Sequence, residues 1–490
     1  MSDTISCSHC LSLFSVTKDD RDFYNKVAPK IWVKVFTIPD PTLCPSCRQR
    51  RRLSFRNERK LYRRQCDASK KDIISMYSPD KWYKVYDPKV RRSDARSGLD
   101  YWRNFDYSKK FMEQFDILMK DVPHLSLLWV QNEGSDYVNW VFAWVRCYLS
   151  FNCDYIEDSL YLQNSIQVKN SIDCLSCMNS QYLYQCIMCD NCYECFFSTS
   201  CVDCSHCYQC SDLVGKQYHI RNVAYSKEEY YKILSDISTW FYNPTIKDIH
   251  AYKNSWSHHI LDCQNLENCT YCYYVYDSKD CMDFDIFWDN SSLIYESIAI
   301  WPNCRKNLFS SCLRWKCSNC FYSFLSIGCS DIFWCAWLRN AQYCIFNKQY
   351  TKETYEIEVA KIIWHMMETL EWWEFFDLSL SPFGYNETVA QEYFPATQQE
   401  ISHLWYKRSK YEPPQPNIEN TIDISSLPTD IALVLDDVVN NIFRCVVSNK
   451  PYRITPQELA FYKKHNISLP NKHPDVRHQE RMRLKLHKKN

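Results

Sequence analysis

The sequence predicts a mixed, mainly β fold: a duplicated cysteine-ladder β-solenoid of about 15 residues per coil, flanked by small cysteine-paired units and capping helices. Three observations predict it. The cysteines between residues 139 and 213 share one phase of three, a block of sequence recurs 125 residues later, and two CxxC pairs open the chain. The phase comes first. Residues 169–183, 184–198 and 199–213 read KNSIDCLSCMNSQYL, YQCIMCDNCYECFFS and TSCVDCSHCYQCSDL. Every third position in these blocks is small or apolar, and acids and amides fill the others. An inward period of three belongs neither to a helix nor to a plain strand. A short coil that turns several corners and stacks at roughly 4.8 Å would produce it. Free cysteine is a small, well-buried hydrophobe, so the ladders are read as packing. Metal, disulfide and redox roles stay open as alternatives.

The duplication is local and specific. GKQYHIRNVAYSKEEY at 215–230 matches NAQYCIFNKQYTKETY at 340–355 in eight of sixteen places. Cys263, Cys269, Cys272, Cys281, Cys317, Cys320, Cys329, Cys335 and Cys344 again share a phase, whereas Cys304 and Cys312 do not. That stretch is read as a bulge or loop. Each copy ends in a helix: Ser226 and Glu229 form a capping box, and Thr351 caps a helix to about Leu370.

Cys7-Ser-His-Cys10 and Cys44-Pro-Ser-Cys47 have the form of two metal knuckles. Tetrahedral Zn²⁺ takes four soft ligands, so Cys7, Cys10, Cys44 and Cys47 are assigned to one structural zinc, a closed site with no catalytic position. His9, inside the first knuckle, is assigned to solvent. Thr17 and Asp20 cap a short helix, and Trp32–Phe36 reads as a strand. Directly after Cys47 come Arg48, Arg50, Arg51, Arg52, Arg56, Arg59, Lys60, Arg63 and Arg64, with one acid, Glu58, among them. Guanidinium forks suit phosphates, and this basic helix is the candidate contact for RNA or DNA. The alternative is a helix that pairs with acids elsewhere in the chain. On the first reading, replacing Arg50, Arg51, Arg52 and Arg56 with Gln weakens nucleic-acid binding without unfolding the protein.

The unit recurs with its ligands lost. Cys445-Val-Val-Ser448 and His473-Pro-Asp-Val476 stand where knuckles would be, with a capping box at Thr455 and Glu458 between them and a basic tail after them. A further remnant is Cys66 to Ser69, with Asp87 to Val90 in the partner position. These readings divide the chain into 1–65, zinc ribbon plus basic helix; 66–138, degenerate ribbon and connecting segment; and 139–245 and 246–375, two solenoid halves with capping helices. A helical or linker segment, 376–440, and a metal-free ribbon-like unit with a basic tail, 441–490, follow.

Several segments carry a resemblance: TLCPSCRQRRRLSFRNERKLYRRQC, IISMYSPDK, YCIFNKQYTKETYE, SPFGYNETVAQEYFP and YRITPQELAFYKKHNISLP. The chain resembles a family of uncharacterised, cysteine-rich zinc-ribbon proteins of candidate-phylum bacteria. The resemblance implies an architecture and a source but no activity, and some of those bacteria read UGA as glycine.

Composition bounds the rest. The chain has 490 residues, 58 basic and 58 acidic, so total charge implies no attraction to nucleic acid or membrane. No apolar run reaches membrane-spanning length, and the N-terminus lacks signal-peptide character, which points to the cytoplasm and away from membranes. Twenty-nine cysteines there are reduced or metal-bound. Nucleotide-binding loops and hydrolase motifs are absent, so enzymatic function is disfavoured. His258-His259 is read as a surface pair. The expected function is a zinc-binding scaffold docking on RNA or DNA. The alternatives are a redox or metal-handling protein, or a scaffold that meets protein partners on its solenoid.

One anomaly carries a test. Five glycines stand against seventeen tryptophans, and Trp144, Trp334, Trp337 and Trp373 occupy places suited to a smaller residue. If some tryptophans are glycines in the source organism, their codons are UGA. A gene with UGG at all of these positions excludes the idea.

Overall fold

In the computed structural model, the parallel bridges of the first solenoid join residues twelve apart: Tyr148 to Leu160, Leu160 to Ile172, Ile172 to Tyr184 and Tyr184 to Phe196. The structure describes residues 3–93, 97–135, 137–237, 263, 265–287, 290–414 and 421–486; His258 and His259 lie outside them. The fold is the expected mainly β solenoid, but the coil is twelve residues long rather than fifteen. Each coil has four sides of three residues. Both lengths are multiples of three, so aligning blocks of fifteen preserved the inward phase while missing the repeat.

Each triplet divides its labour in the same way. In Tyr148-Leu149-Ser150, Tyr148 bridges to the next coil, Leu149 turns the corner at φ 45° and Ser150 points into the core. From Gln131 to Arg221 every third residue has positive φ. That left-handed region is costly for most side chains and is tolerated best by Gly, Asn and Asp. Corner amides and acids one coil apart bond each other, as Asn152 does to Asn164 at 2.8 Å and Asn191 to Asp203 at 2.7 Å. Only Gly134, Gly215 and Gly328 supply glycine at positive φ among the described residues.

The core residues do more than fill space. The Leu162 N–H donates to Ser150 Oγ at 2.9 Å, and Ser150 Oγ donates to the Tyr148 carbonyl at 3.1 Å. The Cys192 N–H likewise reaches Ser180 Oγ at 2.9 Å, and Cys189 Sγ donates to the Ser198 carbonyl at 3.5 Å. Core-facing peptide groups need partners, and Ser and Cys are small enough for the coil while supplying them.

The second solenoid explains the cysteines that break phase. Lys279 pairs with Ser292, Ser292 with Arg305, and Arg305 with Ser318, each thirteen apart, before Ser318 pairs with Ser330 at twelve. Three successive one-residue insertions shift the phase and then restore it. The expected loop is therefore three thirteen-residue coils. Cys304 is inward in one of them, and Cys312 is a corner at φ 62°. Both copies close alike. An antiparallel return strand, Val223–Ala224 or Lys348–Gln349, pairs with the last parallel strand. Then come the helices Lys227–Ile237 and Lys352–Glu368. Their rings meet the last coil at equivalent positions, Tyr218 to Tyr230 and Tyr343 to Tyr355, both at 5.7 Å. The caps at Ser226–Glu229 and Thr351 are present.

The chain sorts into two compact units, Met1–Ser126 with Ala251–Tyr411, and Leu127–His250 with Glu412–Asn490. Each joins one solenoid to knuckle-bearing segments remote in sequence. The first also carries the helix Phe111–Asp121 and the short helices Val389–Tyr393 and Gln398–His403. Trp32–Phe36 is not one strand: Trp32 and Val33 turn between the pairs Lys30–Ile31 and Lys34–Val35. Among the described residues, no helix is long and apolar enough to cross a membrane.

Tryptophan sits at positive φ at 32, 140, 315, 334, 337, 373 and 405. Outside the coils and their closing hairpins, such non-glycine residues are Leu11, Trp32, Lys70, Leu370, Trp373, Trp405, Asn449 and Asn466. Three of these eight are tryptophan, a bulky residue that rarely adopts this conformation. Trp144 does not belong with them: it fills a core column at ordinary φ, and its indole N–H donates to the Cys153 carbonyl at 2.9 Å.

The inward period predicts a sharp contrast between neighbours. Cys189→Ser is mild, whereas Cys189→Asp buries a carboxylate without a partner and costs several kcal/mol, on the order of 3 or more. Asp190→Ala, at a partly exposed bridge position, changes stability by less than about 0.5 kcal/mol. Chemical denaturation of the three variants measures this; equal losses at 189 and 190 refute the period.

Candidate metal centre

The first knuckle is the turn of a hairpin, Asp3–Ser6 with Leu13–Val16. The Cys7 N–H bonds the Ser12 carbonyl at 2.9 Å, and Leu11 takes φ 62° to complete the turn. The second knuckle opens the helix Pro45–Leu53, with Cys44 at its N-cap and Pro45 at its first position, where a missing N–H costs nothing. The sulfurs of Cys7, Cys10, Cys44 and Cys47 lie within 4.8 Å of one another. Cys10 and Cys44 are 3.7 Å apart. A tetrahedral thiolate site with bonds of about 2.3 Å has edges of about 3.8 Å, so these four residues could hold a metal ion. The Cys44 N–H donates to Cys7 Sγ at 3.3 Å, and hydrogen bonding, Cys47 foremost, draws the Cys44 thiol down to about 5. Both favour thiolate at Cys44, while its bond to Cys44 and burial push the Cys47 thiol up. His9 is not turned to solvent as expected. Its Nε2 lies 2.9 Å from the Leu404 carbonyl, which holds it away from the metal position.

The two remnants repeat this backbone. Cys66 and Cys445 take the place of Cys7: their N–H groups bond Lys71 and Lys450 across the turn, and Lys70 and Asn449 supply the left-handed residue. Cys66 Sγ accepts the N–H of Asp87 at 3.3 Å, as Cys7 accepts that of Cys44. Each second knuckle starts a helix with proline first: Pro88–Arg91 and Pro474–Leu486. Among the described residues, the Cys7, Cys10, Cys44 and Cys47 group is the one set of three or more Cys, His, Asp or Glu side chains gathered closely enough for a metal.

The basic run is placed differently from the sequence expectation. The helix ends at Leu53, and Tyr62–Gln65 is a strand. Arg48, Arg51, Arg52 and Arg56 are buried, Arg52 completely. Arg48 pairs with Asp283 at 2.8 Å, Arg51 with Glu296 at 2.9 Å and Glu374 at 2.8 Å, and Arg52 with Asp285 at 2.5 Å and Glu296 at 3.1 Å. Arg56 pairs with Glu58, and Arg50 lies 5.2 Å over the Phe394 ring. Arg59 and Arg64 are half-buried, while Lys60 and Arg63 are exposed. Asp283, Asp285 and Glu296 belong to the second solenoid. Burial pushes Asp283 and Asp285 up, whereas burial of Glu296 is outweighed by Arg51, Arg52 and Arg48, which hold it low. Of the residues assigned to phosphate, Arg48, Arg51 and Arg52 therefore hold the Pro45–Leu53 helix to the solenoid. No local signal marks the partners of Arg48, Arg51 and Arg52, which lie more than 200 positions away.

The third knuckle unit docks in the same manner. Arg477, next after Val476 as Arg48 is next after Cys47, pairs with Asp173 and with Glu458 at 3.2 Å. Arg481 reaches Asp173 at 2.9 Å. Tyr161 and Tyr462 donate to Glu458 at 3.0 and 2.8 Å. In the second unit Arg91 holds the equivalent place. It donates to the carbonyls of Pro123 at 2.9 Å and Trp337 at 3.4 Å.

Neither a protein-family model nor a curated protein sequence matches the chain; the site is therefore read from its own geometry.

Breaking the arginine cluster is severe. Arg52→Met leaves Asp285 buried beside Asp283 without its main partner, at a cost of about 3–5 kcal/mol. The multiple Gln replacement of Arg50, Arg51, Arg52 and Arg56 thus unfolds this unit rather than sparing it. Metal removal has a directional effect as well. Chelation, or Cys44→Ser, loosens the start of the Pro45–Leu53 helix, and thiol labelling read by mass spectrometry rises at Cys281 and Cys304 but not at Cys189 or Cys201.

Proposed function

We propose that this protein is a cytoplasmic, non-catalytic binding scaffold stabilised by one structural zinc. The observation that carries this reading is the division of its thiols. Four converge to within 4.8 Å of one another, and the others are dispersed through packing positions. All 29 cysteines are free thiols, and 28 are buried. Soft four-thiolate donor sets suit zinc or an iron–sulfur cluster, and a closed site of two knuckles suits structural zinc. Zinc would complete the folding of the first knuckle unit, since such modules draw much of their stability from metal binding.

The redox alternative fits less well. A reactive cysteine needs an accessible thiolate, and every solenoid cysteine is buried. A cytoplasmic location is supported by the unpaired thiols, which a reducing compartment preserves. Docking on RNA or DNA remains part of the proposal, but the buried arginines cannot serve it.

Elemental analysis of freshly purified protein tests the reading. The expected result is about one zinc per chain, lost in Cys7→Ser and retained in Cys189→Ser. Several metals per chain, or iron with acid-labile sulfide, overturn it in favour of metal handling.

A further inference from the structure

The three knuckle units use their cations differently. In the first and third, arginines of the second-knuckle helix end on solenoid carboxylates. In the second, Arg91 donates to the carbonyls of Pro123 and Trp337 and lies over the Trp337 ring. Its neighbour Arg92 has Arg339 nearby; burial and then this like charge lower Arg92 to about 10. Residues 59–93 hold eleven basic residues against four acidic ones, and the docking of this unit leaves much of that excess facing water.

The backbone gathers the excess. Lys70 and Lys71 sit at the knuckle turn. The Asp67 N–H bonds the Val85 carbonyl at 3.0 Å, which sets Lys84 beside that turn. The Asp87 N–H bonds Cys66 Sγ at 3.3 Å, which brings in the short helix bearing Lys89. Arg63 lies on the exposed face of the hairpin that the knuckle closes. Lys60, Lys70, Lys71, Lys84 and Lys89 are exposed. Asp67 is engaged by Arg64 at 3.1 Å and by the Val85 N–H at 2.7 Å, and Lys84 is 3.9 Å from Asp121. Trp82, two residues before Lys84 in the same unit, is 89% exposed, a large aromatic face open to solvent.

We propose that the metal-free second knuckle unit is a docking surface for single-stranded nucleic acid. Its lysines meet the phosphates and Trp82 stacks on a base. A basic surface neutralises phosphates and releases counterions, and an exposed aromatic adds sequence-tolerant stacking. The inference rests on the scaffold reading and names its partner. It moves the contact from the buried arginines to a surface that sequence charge alone did not separate from them.

The test uses the full chain with its metal and a labelled 20-nucleotide single-stranded RNA of uridines, at two salt concentrations. The wild type is expected to bind with strong salt dependence. Lys60→Gln, Lys70→Gln, Lys71→Gln and Lys84→Gln together should lower affinity at least tenfold. They should also flatten the salt slope by roughly 0.7 per lost contact. Trp82→Ala should lower single-strand affinity severalfold and leave a duplex of the same length unaffected. Lys216→Gln, Lys227→Gln, Lys232→Gln and Lys450→Gln, on the other unit, remove the same charge and should change little. All these side chains are exposed, so an unchanged melting temperature certifies the fold. Absent salt-sensitive binding, equal loss in both lysine sets, or an unaltered Trp82→Ala variant overturns the proposal. A count of one zinc in the same preparation leaves the scaffold reading standing, whereas several metals remove it independently.

Discussion

A coil of twelve residues turns so tightly that its core-facing peptide groups point at side chains. The inward residue of each triplet must be small and must also answer those groups. Serine and cysteine meet both demands, and Leu162 N–H on Ser150 Oγ is the recurring contact. Larger apolar residues fill the core only in places, as Trp144, Leu162 and Phe284 do. The corner conformation follows from the same tight turn. It puts every third residue at positive φ, where paired Asn and Asp side chains offset a cost that glycine would avoid.

Solenoid faces and knuckle units are tied together by charge. Residues 139–237 carry eleven acids and six basic residues, while the knuckle-bearing segments are basic. The neutral total thus conceals two opposite halves that meet in buried pairs. Such pairs contribute little net stability, because desolvation offsets much of their attraction. Their strength lies in orientation: Arg48 reaches Asp283 and Glu296, and Arg477 reaches Asp173 and Glu458, each from the first turns of a helix, so the helix has one seat. In the first unit two of the four clustered thiols, Cys44 and Cys47, and the seat share that helix, so a metal held there would be linked to the docking through it. In the third unit Tyr161 and Tyr462 hydrogen-bond Glu458, which Arg477 also meets.

Much of this was legible in the residues. The three-residue phase, the two CxxC pairs, the caps at Thr17, Thr351 and Thr455 and the two knuckle remnants are local patterns, each set by neighbours within a few positions. His9 was misread because its partner, the Leu404 carbonyl, lies in a different segment. Cys304 and Cys312 looked like a broken repeat because insertions at three successive coils cannot be told from a loop without strand pairing.

By itself the sequence determined that a narrow thiol-and-hydroxyl core exists and that one metal group can form, since both follow from short-range spacing. Tertiary structure alone decided the coil length and the fate of the arginines. A period of three is common to twelve and fifteen, and only the hydrogen-bonded register distinguishes them. A guanidinium is equally suited to a phosphate or a carboxylate, and which it meets depends on what the fold carries to it. Here the second solenoid brings Asp283, Asp285 and Glu296 to the metal helix, and burial makes that pairing exclusive.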